Sequence, residues 1–203
     1  MTEQVVERFK PTSGRIMGTV GMVLVALVLV LGLIDPDSGF GGPVFAGAVA
    51  IGVLTWASTL RPAMWVTTES LVMRNMFETV TIPLAAVEQV AVQQVTAVRA
   101  GDRRYISPAV GRSLRQVMKT RRGAGAPGDT GDDAAASAVT TSYADMVEDR
   151  IRSLAADAAA ARGIRPRSDE QVGLGREVRR RPAWAEIVLL VAAVLALVVS
   201  LAV

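Results

Sequence analysis

Hydrophobic positions along this chain follow two regimes, unbroken runs and short alternations. Residues 16–34 and 40–60 contain no charged side chain, and residues 184–203 contain one, Glu186, near the start of the run. At ~1.5 Å rise per residue, about 20 residues cross the ~30 Å hydrocarbon layer of a bilayer. A water-exposed helix of that length needs a polar stripe, and none of the three runs has one. They predict three transmembrane helices, at 16–34, 40–60 and 184–203.

Between the second and third runs the period shortens to two. Residues 64–68, 71–76 and 79–82 read as strands joined by two-residue connections, a meander in β-branched residues. Val80, Ile82 and Leu84 point one way and Thr79 and Thr81 the other. Pro83 cannot donate to a ladder and ends the third strand. A helical turn is expected at 84–87, then one strand over 88–98. Ala100-Gly101-Asp102-Arg103 forms a hairpin loop into 104–106, and Pro108 and Gly111 break the sheet. Residues 61–122 thus predict a small β domain. Residues 123–141, a low-complexity run of Gly, Ala, Asp, Pro, Ser and Thr, predict a flexible insert. From 142 to 162, Tyr143, Val147, Ile151, Leu154 and Ala158 recur at spacings of three and four, the mark of an amphipathic helix. Ser142 and Asp145 resemble a capping box, Glu148 and Arg152 pair at i, i+4, and Gly163 with Pro166 ends the helix. Residues 163–183 read as a basic linker.

Charge orients these elements. Arg8, Lys10 and Arg15 precede the first run, Asp35 and Asp37 lie between the first two, and Arg61 follows the second. Arg176, Arg179, Arg180 and Arg181 precede the third. Counted by Lys and Arg, the 1–15 tail and the middle region face the cytoplasm and the connector faces outward. The expectation is a multi-pass protein of the inner (plasma) membrane. Glu3 and Glu7 in the leader, and the length of the first run, favour an uncleaved anchor over a signal peptide. Trp56 and Trp184 lie near span ends, where indoles favour the interface. Gly14 and Gly18, with Ala46, Gly47, Ala50 and Gly52, allow close helix approach, although such residues are common in membrane helices. Glu186 reads as a cap-region acid at interface depth.

The composition narrows the chemistry. The chain has no cysteine and no histidine. That removes thiol catalysis, Cys-ligated metals, the usual zinc ligand and every His-containing triad. No catalytic, cofactor-binding or metal-ligating residue is expected, and no cofactor. Asp129, Asp132 and Asp133 lack the spacing of a calcium loop. Gly111-Arg112-Ser113 lacks the lysine and context of a phosphate loop. A net charge of +3 gives no reason to expect nucleic acid. Arg112, Arg115, Lys119, Arg121 and Arg122 form the candidate contact with anionic lipid headgroups, against the simpler reading of a solvated face. Arg103 and Arg104 read as ordinary turn charges.

The stretch Trp65-Val-Thr-Thr-Glu-Ser-Leu71-Val-Met-Arg74, continuing to Val80-Thr-Ile82-Pro83-Leu84-Ala-Ala-Val87, resembles the opening of bacterial pleckstrin-homology-like (PH-like) domains. Gly101-Asp102-Arg103-Arg104-Tyr105 is similar to a later turn of that family, and the two-helix lead is closest to actinobacterial PH-domain-containing membrane proteins. The resemblance implies a partly open, antiparallel β-barrel or sheet closed by one helix, with partner binding or assembly and no shared chemistry. The expected fold is therefore membrane α plus cytoplasmic α+β. It comprises an N-terminal transmembrane hairpin, the PH-like domain with its closing helix, and a C-terminal transmembrane helix. The expected function is a non-enzymatic, membrane-anchored module that holds its domain at the inner leaflet for protein interaction, scaffolding or self-assembly. Its partners would be the bilayer, an unidentified membrane or cytoplasmic protein, or a second copy. The alternative is a three-span transport or channel subunit acting as an oligomer, for which the spans offer Thr19, Thr55, Ser58, Thr59 and Ser200 besides Glu186.

Overall fold

The computed structural model describes residues 4–11, 14–34, 41–112 and 132–202, without the side chains of 132–142. In chain order the elements are β1 (Val5–Phe9), α1 (Arg15–Ile34), α2 (Gly42–Thr55), β2 (Ala63–Thr67), β3 (Ser70–Arg74), β4 (Glu78–Pro83), β5 (Val87–Val92), β6 (Thr96–Ala100), β7 (Arg103–Ser107), α3 (Asp132–Ala161), α4 (Asp169–Leu174), β8 (Arg179–Pro182) and α5 (Trp184–Ala202). They divide into a span unit and an α+β unit.

The span unit holds three helices long and apolar enough to cross a membrane, of 20, 19 and 19 residues. Pro43 in the first turn of α2 occupies a position where its missing N–H costs nothing. α2 continues into a π-turn, Trp56–Leu60, and packs against both α1 and α5. Small residues carry these contacts. A Cβ at Gly18 would overlap Thr59, one at Gly21 would meet Thr55, and one at Gly52 would meet Val25. Close approach is what glycines give a helix pair without a hydrophobic driving force.

The α+β unit contains two antiparallel sheets. The larger has the order β1-β2-β3-β4-β8 and the smaller β5-β6-β7. Among the described residues no ladder joins them into the closed barrel that the family resemblance allowed. The meander is as expected: Met64 faces Met73, and Met73 faces Val80. Met64, Val66, Leu71, Met73, Val80 and Ile82 alternate into the core. α3 supplies Ala144, Val147, Ile151 and Ala155 to the same core. It ends in a Schellman motif: Ile164 N–H bonds Ala159 O at 2.9 Å and Gly163 N–H bonds Ala160 O at 3.0 Å, with Gly163 at φ +69. Ile164 and Ala159 are packed together beneath it.

Four expectations need correction. The 88–98 strand is two strands, β5 and β6, turning at Gln93-Gln94-Val95. No Gly or Pro marks this turn. Gly111 makes room for it, since a Cβ there would overlap Gln94 O, and Arg112 N–H bonds Gln93 O at 2.5 Å. The tail contributes β1, which pairs with β2 through Phe9 and Met64. The basic linker contains α4, a 3₁₀ turn (Gly175–Glu177) and β8. Helix α3 begins at Asp132 rather than 142. Its Ala-rich start favours helix and its two leading aspartates suit the positive end of the dipole. The rest of the expected insert, 123–131, and the connector at 35–38 lie outside the described residues.

Candidate functional site

The β6–β7 connection has Gly101 at φ +59, a left-handed position that a two-residue hairpin needs and glycine fills without strain. This turn packs on the segment 172–175. A Cβ on Gly175 would come within 2.9 Å of the Gly101 backbone, so the two chain segments meet main chain to main chain. Ser168 caps α4 by accepting Gln171 N–H at 3.3 Å, and Asp169 and Glu170 occupy its first turn. Gln171 is 4% exposed. Its amide donates to Ala85 O and Val87 O, each at 3.2 Å, and its Oε1 accepts Arg167 N–H at 2.6 Å. That buried amide fastens the segment after α3 to the start of β5.

β8 then runs along the larger sheet and sends Arg180 over the Tyr105 ring, 5.1 Å from its centroid. Between the hairpin turn, α4 and β8 lies an open groove of about 800 Å³. Arg103, Arg176 and Arg180 line it, with Asp102 and Asp169 on its rim. Arg103 and Arg176 have no acid within ion-pair distance among the described residues. Arg179, one residue along β8, lines a different groove beside Glu69, Glu177 and Arg162. A further groove, of about 690 Å³ and more apolar, runs between β5 and α3, lined by Val87, Val90, Ala155, Ala159 and Ile164. Glu148 on α3 accepts Val92 N–H at 2.9 Å and pairs with Arg152 at 2.6 Å, the i, i+4 pair read from the sequence.

Of the candidate headgroup contact, only Arg112 lies among the described residues. Arg112 pairs with Asp145, the residue assigned to a capping box, while Arg115, Lys119, Arg121 and Arg122 lie outside the described residues. The arginines that do converge were visible only as turn and linker charges. The signal was Arg179-Arg180-Arg181, whose alternation sends neighbours to opposite faces once the segment is a strand.

In the span unit, Arg61 Nε donates to Glu186 Oε1 at 2.6 Å, with side chains 4% and 13% exposed. Arg61 follows the π-turn, its N–H bonding Trp56 O at 3.0 Å, and the extra residue in that turn sets where its side chain leaves the helix. Glu186 is thus one half of a buried ion pair, beyond the cap-region acid of the sequence reading. Elsewhere, β1 is fastened to α3. Tyr143 Oη accepts Lys10 N–H at 2.6 Å, and Arg150 pairs with Glu7 at 2.8 Å. Burial pushes the Tyr143 phenol above its ordinary range, the Lys10 hydrogen bond pulls it back, and the charge of Glu7 pushes it up again.

No protein-family model, no curated protein and no solved structure matches this chain.

Proposed function

We propose that this chain is a non-enzymatic, membrane-anchored module of the bacterial PH-like kind, holding a cytoplasmic domain at the inner leaflet for protein interaction, scaffolding or self-assembly. The observation that carries this reading is the pairing of β1 with β2. These strands flank the two-helix stretch, one ending at Phe9 and the other beginning at Ala63. Hydrogen-bonded neighbours share one aqueous side, so the chain between them crosses the bilayer an even number of times. β8 belongs to the same sheet, and one residue separates it from α5. Strand connections on both sides of the helices, together with the Lys and Arg bias, support a cytoplasmic α+β domain.

A meander, a three-stranded sheet and a C-terminal helix over the core follow the order implied by the PH-like resemblance, which supports that part of the reading. The absence of histidine and cysteine supports an interaction role over catalysis. Tethering raises the effective concentration of partners in the same membrane, so weak contacts suffice.

The cysteine-free chain makes the test direct. Ser38→Cys, in the connector, should react with a membrane-impermeant maleimide in intact spheroplasts. Asp102→Cys, in the β6–β7 turn, should react only after permeabilisation. Labelling of Asp102→Cys from outside, or extraction of the protein by alkaline carbonate, would overturn the reading.

A further inference from the structure

We infer that the groove between the β6–β7 turn and β8 binds the phosphodiester of an anionic phospholipid headgroup, an inference that rests on the membrane-anchored reading above. Arg103 and Arg176 approach the groove from β7 and from the 3₁₀ turn after α4, and neither is neutralised by an acid among the described residues. A guanidinium offers a planar fork of N–H donors that matches phosphate oxygens, and both arginines line the same groove. Arg180 is held differently: it lies over the face of Tyr105, which is 4% exposed and therefore a fixed platform. Stacking sets the plane of that guanidinium before any ligand arrives. The main-chain contact between Gly101 and Gly175 makes the floor of the groove equally fixed.

The charge of the groove selects among phosphates. Arg103 and Arg176 line it together with Asp102 and Asp169, a mixed lining that suits a monoanion better than a dianion. A phosphodiester carries one negative charge, whereas free phosphate is about half dianion near neutral pH. Asp102 and Asp169 add acceptors that a headgroup hydroxyl can fill. The source follows from the chain. Trp184, the first residue of α5, is three residues beyond Arg181. At ~3.3–3.6 Å per residue, β8 cannot leave the headgroup layer by more than about 11 Å. Within that layer each cation multiplies affinity for an anionic surface by about five.

The test uses the full chain in nanodiscs. Phenylglyoxal modifies accessible arginines, and modification is read by peptide mass spectrometry in phosphatidylglycerol and in phosphatidylcholine discs. Arg103 and Arg176 should be protected at least threefold in phosphatidylglycerol relative to phosphatidylcholine, and millimolar inorganic phosphate in phosphatidylcholine discs should give no protection. The Arg103→Gln/Arg176→Gln double variant should retain phosphatidylglycerol about 25-fold less well in native mass spectrometry, two factors of about five. Arg104→Gln, outside the groove on the same strand, should retain it fully. Equal modification in both discs overturns the inference, protection by inorganic phosphate assigns the groove to a soluble anion instead, and an Arg104→Gln loss equal to the double variant's reduces it to general surface charge. Carbonate extraction reports on the anchoring separately, so a chain that stays in the membrane without protection sinks this inference alone.

Discussion

The two units of this molecule bury opposite kinds of residue. In the span unit the closest helix contacts run through Gly18, Gly21 and Gly52, while Leu24, Leu27, Val188 and Leu195 are each more than half exposed. In the α+β unit Met64, Leu71, Met73, Ile82, Val98 and Ile151 are fully buried, and the arginines of β7 and β8 are exposed. The inversion is what lipid around the one unit and water around the other would produce. Lipid tails are as apolar as leucine, so nothing drives large side chains inward and contact rests on close backbone approach. Water expels the same side chains into a core.

The largest expected effect separates the units by one substitution type. Leu71→Ala in the core should cost about 3 kcal/mol, from lost transfer energy and the cavity left behind. Leu24→Ala, on the outward face of α1, should cost less than about 0.5 kcal/mol because lipid fills the space. Denaturation of the full chain in detergent, followed by circular dichroism, measures both. Equal losses would mean that the outward face of α1 is a protein core, and the comparison would break.

A smaller effect tests a buried ion pair of the span unit. Glu186→Gln removes the buried Arg61–Glu186 ion pair and should cost about 2 kcal/mol. The loss stays below that of a deep core pair because both residues lie at helix ends, where headgroup water reaches. Arg61→Leu/Glu186→Leu should recover most of the loss, since replacing both charges removes the desolvation penalty along with the attraction. A double variant as unstable as the single one would show that the pair holds α2 and α5 by more than mutual neutralisation.

The same comparison explains what could be read from the chain. The spans were legible because uninterrupted apolar composition suffices for them, and the β2–β4 meander because its alternation is local. The hairpin at Gly101 and the inward face of α3 were legible for the same reason. β1 was not, because Val-Val-Glu-Arg-Phe becomes a strand only by pairing with residues beyond two spans. β8 has no apolar face at all, and its strand state comes from the neighbouring β4. The Gln93-Gln94-Val95 turn depends on Gly111, and α4 on the buried Gln171. The candidate groove was hidden likewise. Its arginines are plain in the sequence, yet Arg103 and Arg180 share a site only because the β6–β7 turn seats on the segment beyond α4. Arg112, singled out in advance, pairs with Asp145.

The smallest effect sharpens the comparison at the segment before the first span, which folds with the α+β unit. Tyr143 accepts Lys10 N–H through its hydroxyl oxygen, at 2.6 Å. Tyr143→Phe removes that bond and should cost about 1 kcal/mol at pH 7. Burial first, and the charge of Glu7 in addition, hold the phenol above the ordinary tyrosine value of 10.0 in the folded chain. The unfolded chain therefore ionises first as pH rises. Stability tied to the neutral phenol is complete below pH 10 and is lost as pH climbs through the folded value. The variant has no phenol to ionise and lacks this alkaline loss. Denaturation midpoints taken from pH 7 to pH 11 should show the wild-type and Tyr143→Phe curves separated at neutral pH and converging above pH 10. A gap that stays constant would mean that Tyr143 ionises as freely in the folded chain as in the unfolded one, and no gap at pH 7 would mean that the Lys10 bond does not hold the N-terminal segment against α3.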